Sequence, residues 1–374
     1  MTRRRTAKTA SPPPAESFNP PYPPSWFDRF TDWVDRLPGP AWGFYLLLAV
    51  AVILEISVVQ WLAGAYPPWT FNGQHVFIAV NLPYFLGLMH YLDRAAGSAI
   101  ASFRPLLSLP KAGARSSVKD RSTFDTIAYQ LTTLPRRQAL LATLGGVVFT
   151  AAALLGDPAA GSNADFLAGT AGTPLSTASV LIVFIPVNVL LPLILYHTVH
   201  QLVQVSRIYT THARINIYQL QSLYALSLPG AYTALGVIAF VYGLWAITDP
   251  ANPSNSIQIG ISLVFVAIAV TTFAWPLWGA HRRLVQEKEA RLADASSRFE
   301  GATRELHRRM DSGRLLHMDD LNKAVATLEI EQNALRRIPT WPWQPGALRA
   351  VVAALLLPVA VWAIQTLLGR FLGA

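Results

Sequence analysis

Cysteine is absent from this chain of 374 residues, and charged residues are scarce, at 14% of the total. The lack of cysteine excludes disulfide bonds, thiolate metal ligands and a cysteine nucleophile. A soluble domain usually has about a quarter of its residues charged. The shortage of charge, together with 52% hydrophobic residues, therefore indicates that much of the surface faces lipid rather than water.

Recognisable catalytic motifs are also missing. The sequence has no phosphate-binding glycine loop, kinase signature, nucleophile elbow or His-Glu-x-x-His motif. Gly145-Gly146 lies in an apolar run, where small residues are typical of close helix packing rather than of phosphate binding. We therefore expect neither an enzyme nor a bound cofactor.

Apolar runs dominate what is present, and a helix of about 20 apolar residues crosses a hydrocarbon core of roughly 30 Å. Seven runs are candidates: Ala41–Ala63, Val76–Leu92, Ala139–Gly156, Ala178–Val203, Gly230–Ile247, Ile257–Ala280 and Leu348–Leu372. The second and third are short for a span. The pattern predicts an all-α, polytopic membrane protein with about seven transmembrane helices.

The basic residues predict the orientation of these spans. Of the 30 Lys and Arg residues, 28 lie in the segments 1–40, 94–137, 204–228 and 281–346, and the three intervening loops carry none. Lys and Arg near spans are retained on the cytoplasmic side. We therefore expect a multi-pass protein of the plasma membrane with its N-terminus in the cytoplasm and its C-terminus outside. The net charge of +9 then reflects contact with the lipid bilayer, not with nucleic acid.

The composition divides the chain into four regions. They are a disordered, Pro-rich cytoplasmic tail at 1–40, a six-helix transmembrane bundle at 41–280, a cytoplasmic helical anchor region at 281–346 and the seventh transmembrane helix at 347–374. A segment as polar and Pro-rich as the tail cannot bury enough apolar surface to build a core.

Helical patterns continue beyond two of the spans. After the fourth span, Gln204–Ala225 contains no Gly or Pro and predicts a continuation of the same helix. After the sixth, Leu284–Met310 has a coiled-coil-like apolar stripe at spacings of three and four, which stops at Asp311-Ser312-Gly313. A second helix is predicted over Met318–Ile338, ended by Pro339. These stripes must pack on each other or on another subunit, and we expect a homo-oligomer.

Polar residues inside the spans are the first candidates for function. Glu55 in the first span marks either a functional path, such as proton coupling, or a carboxyl that hydrogen-bonds a neighbouring helix. Asn81 in the second span and Asn188 in the fourth lie near prolines, which free backbone carbonyls. These groups could line a cavity, but packing between helices is the favoured interpretation.

Two further groups of residues have alternative interpretations. His197 and His200 share one helix face at the end of the fourth span, but a third metal ligand at fixed spacing is missing, so interfacial histidines are favoured over a metal site. The candidates for lining a pore in the last span are Pro358, Trp362, Gln365, Thr366 and Arg370. The alternative is that Gln365 bonds a neighbouring helix and Arg370 extends to the outer headgroups.

The layout resembles the seven-transmembrane ion channel superfamily, which includes the insect odorant and gustatory receptors. The resemblance lies in the topology, in the spans prolonged into the cytoplasm, and in a final helix split into Met318–Ile338 and Leu348–Leu372. It implies a tetramer with the second half of that helix lining a pore. The receptor motif of Thr-Tyr followed by Gln-Phe is absent. The stretch Ile338–Pro345 also looks like that of uncharacterised bacterial membrane proteins, a likeness that implies no activity.

From these observations we hypothesise an oligomeric, chemoreceptor-like ion channel, tetrameric as the resemblance implies, gated by a small-molecule ligand bound among the outer halves of the spans. A non-conducting membrane sensor or scaffold, whose cytoplasmic helices bind a partner, explains the stripe of Leu284–Met310 equally well. The remaining alternative is a proton-coupled transporter that uses Glu55.

Overall fold

The computed structural model describes residues 18–107, 116–155, 170–213, 217, 220–246, 256–313 and 318–357. These residues form helices and their connections, with two isolated bridges between extended residues. The helices are α1 Trp26–Asp35, α2 Ala41–Ala63, α3 Gly73–Phe103, α4 Ser116–Thr132, α5 Arg136–Leu155, α6 Pro174–Arg207, α7 Leu220–Ala225, α8 Leu228–Ala246, α9 Ser256–Asp311, α10 Met318–Arg337 and α11 Pro345–Leu357. The all-α prediction agrees with the described part of the chain.

Five of the described helical segments are long and apolar enough to cross a membrane. They are Ala41–Ala63, Gly73–Leu106, Pro174–His212, Leu220–Ala246 and Ser262–Asp311. They contain the described parts of the first, second, fourth and fifth predicted spans and most of the sixth. The third predicted span is helical as α5, and α11 begins the seventh, whose remainder lies outside the described residues. The helices fit a polytopic membrane protein, and the number seven and the orientation stay predictions.

Local sequence signals set the helix ends. The Asn72 side chain accepts hydrogen bonds from the amides of Gln74 and His75 and so begins α3. Thr173 caps α6 in the same way, with Pro174 at its first position. Gly64 ends α2 with a φ of 74°, a left-handed conformation that glycine adopts without a steric penalty.

One end of the bundle holds the largest cluster of buried apolar side chains among the described residues. There, the last turns of α3 and α6, the helices α4 and α7, and the middle of α9 pack around Phe103 and Tyr209, both fully buried. We call this the basic end, because the described Lys and Arg residues are concentrated here and on the hairpin formed by α9 and α10. Helix α9 has 56 residues, so it passes through the bundle and projects well beyond it.

The predicted continuation of the fourth span through Ala225 is wrong. Helix α6 ends at Arg207, a short π-helix follows at Ile208–His212, and Ala213 is extended. The break is stabilised from α9, because the Arg283 guanidinium donates hydrogen bonds to the carbonyls of Tyr209 (3.0 Å) and Ala213 (3.4 Å). A π-helix frequently marks a functional position.

The predicted disordered tail also needs correction, because α1 lies within it. Ser25 and Asp28 form a capping box, in which the Ser25 hydroxyl accepts from the Asp28 amide and the Asp28 carboxylate accepts from the Ser25 amide at 2.7 Å. Phe27 and Val34 are buried against the bundle. Residues 1–17 lie outside the described part of the chain.

The start of α11 is fixed to α9 by stacked rings. The His281 ring stacks on Trp341 with centroids 4.0 Å apart, Trp341 stacks on Trp343 at 4.6 Å, and Trp343 stacks on Phe273 at 5.6 Å. His281 Nδ1 also donates to the carbonyl of Thr340 at 3.0 Å. We call these residues the ring stack, and they connect the first described turns of the last predicted span to α9.

The C-terminal end of α10 is held on the same helix. The Lys288 ammonium donates to the carbonyls of Arg336 and Ile338, each at 2.8 Å. Both carbonyls lie at the end of α10, where backbone acceptors lack a partner within the helix and a cation is favourable. Helices α9, α10 and α11 are therefore joined at one place.

Candidate functional site

The predicted intramembrane residues lie in different environments. Glu55 is exposed on the outer surface of α2, whereas Asn81 is buried and Asn188 is half-buried. Asn188 donates to the carbonyl of Phe184, one turn earlier in its own helix, at 2.9 Å. This bond lies within α6 and joins Asn188 to no neighbouring helix, so both interpretations of Asn188 stay open. The pore candidates Pro358, Trp362, Gln365, Thr366 and Arg370 all lie outside the described residues.

His197 and His200 do not share a site. His200 Nε2 donates to the carbonyl of Gln130 at 3.0 Å, so this ring fastens α6 to α4. His197 is buried, with 1% of its surface exposed, so its interpretation as an interfacial residue is wrong. Its Nε2 lies 2.8 Å from Asp93 Oδ1 of α3. A carboxylate only accepts hydrogen bonds, so the imidazole donates from Nε2.

Gln201 completes this contact from one turn further along α6. Its amide nitrogen donates to the carbonyl of Leu92 at 3.3 Å and approaches Asp93 Oδ1 at 3.5 Å. Two acceptor atoms remain, His197 Nδ1 and Gln201 Oε1, and both are buried without a hydrogen-bond partner within the described part of the chain. Such atoms are costly to bury and are uncommon in folded proteins.

A second group of ionisable residues lies beside the first. His90, one turn before Asp93 on α3, has its Nδ1 2.9 Å from the Tyr45 hydroxyl and its Nε2 3.0 Å from Asp35 Oδ1. His90 Nε2 forms no hydrogen bond with a described residue, so its contact with Asp35 is an ion pair only when His90 is protonated. Arg94 also donates to the Asp35 carboxylate.

Together these side chains define the His–Asp cluster. Its members come from α1, α3 and α6 and are Asp35, His90, Asp93, Arg94, His197 and Gln201. The cluster lies at the basic end, where these three helices meet. No group of three or more His, Asp or Glu residues in the described ranges could hold a metal ion. The cluster contains two histidines, and histidine is the side chain that most commonly binds or releases a proton near neutral pH.

Helix α1 covers the cluster. The Phe27 ring meets the His197 ring edge-on, with centroids 6.2 Å apart. Asp28 on the same helix accepts hydrogen bonds from the Leu134 amide at 3.3 Å and from Ser25. Burial raises the pKa of the Asp28 carboxyl above its usual value, and the nearby Asp93 adds to this increase against the lowering effect of the Ser25 hydrogen bonds. Helix α1, which covers the cluster, thus carries a largely buried carboxyl group of its own.

An apolar pocket lies next to the cluster, between α3, α6, α8 and α9. Two of its polar lining groups are already used: the Tyr84 hydroxyl donates to the Gly236 carbonyl at 2.6 Å, and the Thr233 hydroxyl donates to the Pro229 carbonyl at 2.9 Å. The remaining lining is mostly aromatic and aliphatic, including Phe85, Leu88, Leu191, Ile194, Phe240 and Phe265. This chemistry fits a hydrocarbon group rather than a polar ligand.

The sequence contained a signal for the cluster that was missed. His90, Asp93 and Arg94 are spaced by three and four residues, which places them on one face at the end of a span. Such a group so close to an apolar run indicates a buried polar contact. The partners from α1 and α6 are remote in the sequence, and only the fold brings them together.

Comparison with known proteins adds no relative. A scan against protein-family models, a search of curated proteins and a search of solved structures each found no match to this chain. The helices fit an integral membrane protein, and that is the class of protein that the fold and composition define. The resemblance to the seven-transmembrane ion channel superfamily stays a prediction.

Proposed function

We propose that this integral membrane protein is a sensor that reads protonation at the cytoplasmic membrane surface through the His–Asp cluster. The observation that carries the proposal is the buried contact of His197 with Asp93, in which His197 Nδ1 has no hydrogen-bond partner among the described residues. A proton added at Nδ1 turns a buried acceptor into a donor and changes the charge of the cluster. Histidine is the side chain whose usual charge change falls between about pH 5 and pH 8.

The surroundings of His197 provide the charges that respond. Titratable and charged groups near it come from α1, α3 and α6, and they are Asp28, Asp35, His90, Asp93, Arg94, His200 and Arg207. A change of charge in a buried site of low dielectric is felt more strongly than in water. Such a change of charge would alter the position of α1 and the packing of α3 against α6.

A continuous series of contacts connects the His–Asp cluster to α9, and we expect a change in the cluster to be transmitted along it. His197 and Gln201 lie on α6, which leads directly into the π-helix at Ile208–His212. Arg283 of α9 is hydrogen-bonded to two carbonyls of this break. A shift of α6 is thereby transmitted to α9, to α10 through Lys288, and to α11 through the ring stack.

The outer half of the α9–α10 hairpin has an incompletely covered apolar stripe, which indicates that a partner binds there. Beyond Ala295 of α9 and before Leu335 of α10, no described residue is buried, although Phe299, Leu306, Leu321 and Leu328 face the contact between the two helices and stay half-exposed. Two helices cannot cover both sides of such a stripe. A partner protein, or a homo-oligomer formed through these helices, completes this core.

A pH-dependent distance between the hairpin and the bundle tests the sensor proposal. Because the chain has no cysteine, spin labels can be placed at Pro38→Cys and Gly301→Cys, both exposed. For the full chain in lipid nanodiscs, we expect the distance distribution to shift between about pH 8 and pH 5. His197→Gln, which keeps a donor towards Asp93 but does not titrate, removes the shift.

The matched control for this measurement is His307→Gln, because His307 is exposed on α9. It should leave the shift unchanged. A distribution that does not move with pH in the parent chain, or one that still moves in His197→Gln, contradicts the proposal.

An ion channel with the last helix lining the pore is the second candidate function. It is favoured by the ring stack, because any movement of α9 is passed to α11 and hence to the last predicted span. Gln365 and Arg370 are the residues that we expect to affect conduction. Purified protein in planar lipid bilayers should then give single-channel currents that Gln365→Leu or Arg370→Ala alters. Silent bilayers with well-folded protein would exclude the channel and leave the sensor.

The proton-coupled transporter is the least supported alternative. Glu55 lies on the outer surface of α2, and it lines neither the His–Asp cluster nor the apolar pocket. A coupling carboxyl is expected inside a protein-lined path, so this position favours a different role for Glu55.

A further inference from the structure

Two polar side chains of α2, Gln60 and Glu55, lie in opposite environments. Gln60 faces inwards, where its amide donates to the Ser176 carbonyl at 2.8 Å and to the Ser179 hydroxyl at 3.0 Å, and its oxygen accepts from the Ser176 hydroxyl at 2.6 Å. Glu55 faces outwards and has no hydrogen bond or ion pair within the described residues. The described residues thus satisfy the first polar group and provide no partner for the second.

The depth of Glu55 excludes easy access to water. It lies 14 residues after Ala41 and eight before Ala63, so roughly 21 Å of helix separate it from one end of α2 and roughly 12 Å from the other. A glutamate side chain cannot cover either distance. Facing lipid alone, a carboxyl at such a depth costs on the order of 3 kcal/mol on insertion scales.

The surface around Glu55 is a regular apolar face. Its members are exposed and follow each other at spacings of three and four along α2: Leu47, Ala51, Leu54, Val58 and Leu62. This spacing is that of a helix seam which packs against another helix in a left-handed crossing. We call these five residues and Glu55 the outer face of α2.

We propose that the outer face of α2 binds the same face of a second copy of this chain, with the two Glu55 side chains hydrogen-bonded to each other. Copies in one membrane share an orientation, and a two-fold axis along the membrane normal brings equal residues together at equal depth. A carboxyl group that holds a proton is both donor and acceptor, so a pair of glutamates sharing protons satisfies itself. A partner of another kind needs a donor at this one depth, whereas a second copy always has one.

The contact is separate from any association through the α9–α10 hairpin, because it lies within the bilayer and on the opposite surface of α2 from its packing on α3 and α6. The proposal therefore does not depend on the sensor function. Polar groups in transmembrane helices promote association because the alternative is an unpaired group in hydrocarbon.

Cross-linking in proteoliposomes tests the contact with the full chain as the only protein present. The absence of native cysteine allows single-cysteine variants at Ala51 and Val58 on the outer face, with Ile182→Cys, exposed on α6, as the matched control. A short bismaleimide should join Ala51→Cys and Val58→Cys into dimers and leave Ile182→Cys monomeric. Equal yields at all three positions, or no dimer at the first two, would overturn the proposal.

Substitutions of Glu55 distinguish the contribution of its carboxyl group from that of the surrounding apolar residues. In the Val58→Cys background, Glu55→Gln keeps paired donors and acceptors and should retain the dimer. Glu55→Leu should lower the dimer yield by about threefold to tenfold at limiting protein density, as expected for one lost interhelical hydrogen bond. Because position 55 is exposed, Glu55→Leu should unfold at the same detergent concentration as the parent or a higher one, which rules out misfolding as the cause. An unchanged dimer yield in Glu55→Leu would also overturn the proposal.

Discussion

Asp93→Ala should lower the free energy of unfolding by about 3–5 kcal/mol, the largest loss that we expect from any single substitution in the described chain. Removing this carboxylate leaves His197 Nε2 and the Gln201 amide facing each other without their shared acceptor, and both side chains are 1% exposed. The measurement is reversible unfolding in mixed micelles with increasing SDS, followed by circular dichroism.

Two controls make this result interpretable. Asp319→Ala removes an exposed carboxylate that pairs with Lys323 at 2.6 Å, and it should change stability by less than about 0.5 kcal/mol. The double variant Asp93→Leu, His197→Leu replaces both partners by apolar groups and should recover much of the loss. A cost for Asp93→Ala as small as that for Asp319→Ala would show that the buried pair does not stabilise the fold.

Gly146→Ala is expected to have the second largest effect, because it drives α5 away from α6. A methyl group at Gly146 would lie 2.3 Å from the carbonyl oxygen of Val189 and 2.7 Å from its Cα. These are backbone atoms, which cannot rotate aside, so the helices must separate. We expect a loss of about 3 kcal/mol in unfolding free energy, at the upper end for overpacked cores.

The neighbouring glycine is the matched control for this prediction. A methyl group at Gly145 has nothing within 4 Å, so Gly145→Ala should be neutral or stabilise α5 by up to about 1 kcal/mol. The same SDS titration compares the two variants. Equal stabilities for Gly145→Ala and Gly146→Ala would contradict the close approach of α5 to α6.

The sequence predicts the long helices well and their breaks poorly. Apolar runs and the stop at Asp311-Ser312-Gly313 place α9 correctly, because length, composition and a left-handed glycine act locally. The end of α6 at Arg207 is not determined by the neighbouring sequence. It depends on Arg283, which is 76 residues away in the sequence and hydrogen-bonds the carbonyls of the break. Helix propensity alone favours continuation there.

The same distinction applies to the candidate site. His197 is recognisable as an unusual residue near a span, and its three-residue spacing from His200 suggests a shared role. In the fold the two histidines have different partners. His197 contacts Asp93, and His200 donates to the Gln130 carbonyl. Helix α1 was missed because Pro-rich flanks dominate its segment, although Ser25 and Asp28 form a capping box there.

The length of α9 has a mechanical consequence. From Arg282 to Asp311 the helix is an unbroken lever about 45 Å long, with a rise of about 1.5 Å per residue, and its base packs on the bundle. Each degree of tilt at its base displaces the tip by about 0.8 Å on this geometry. Rearrangements around Arg283 too small to detect directly are therefore magnified at Met310, at the far end of the lever.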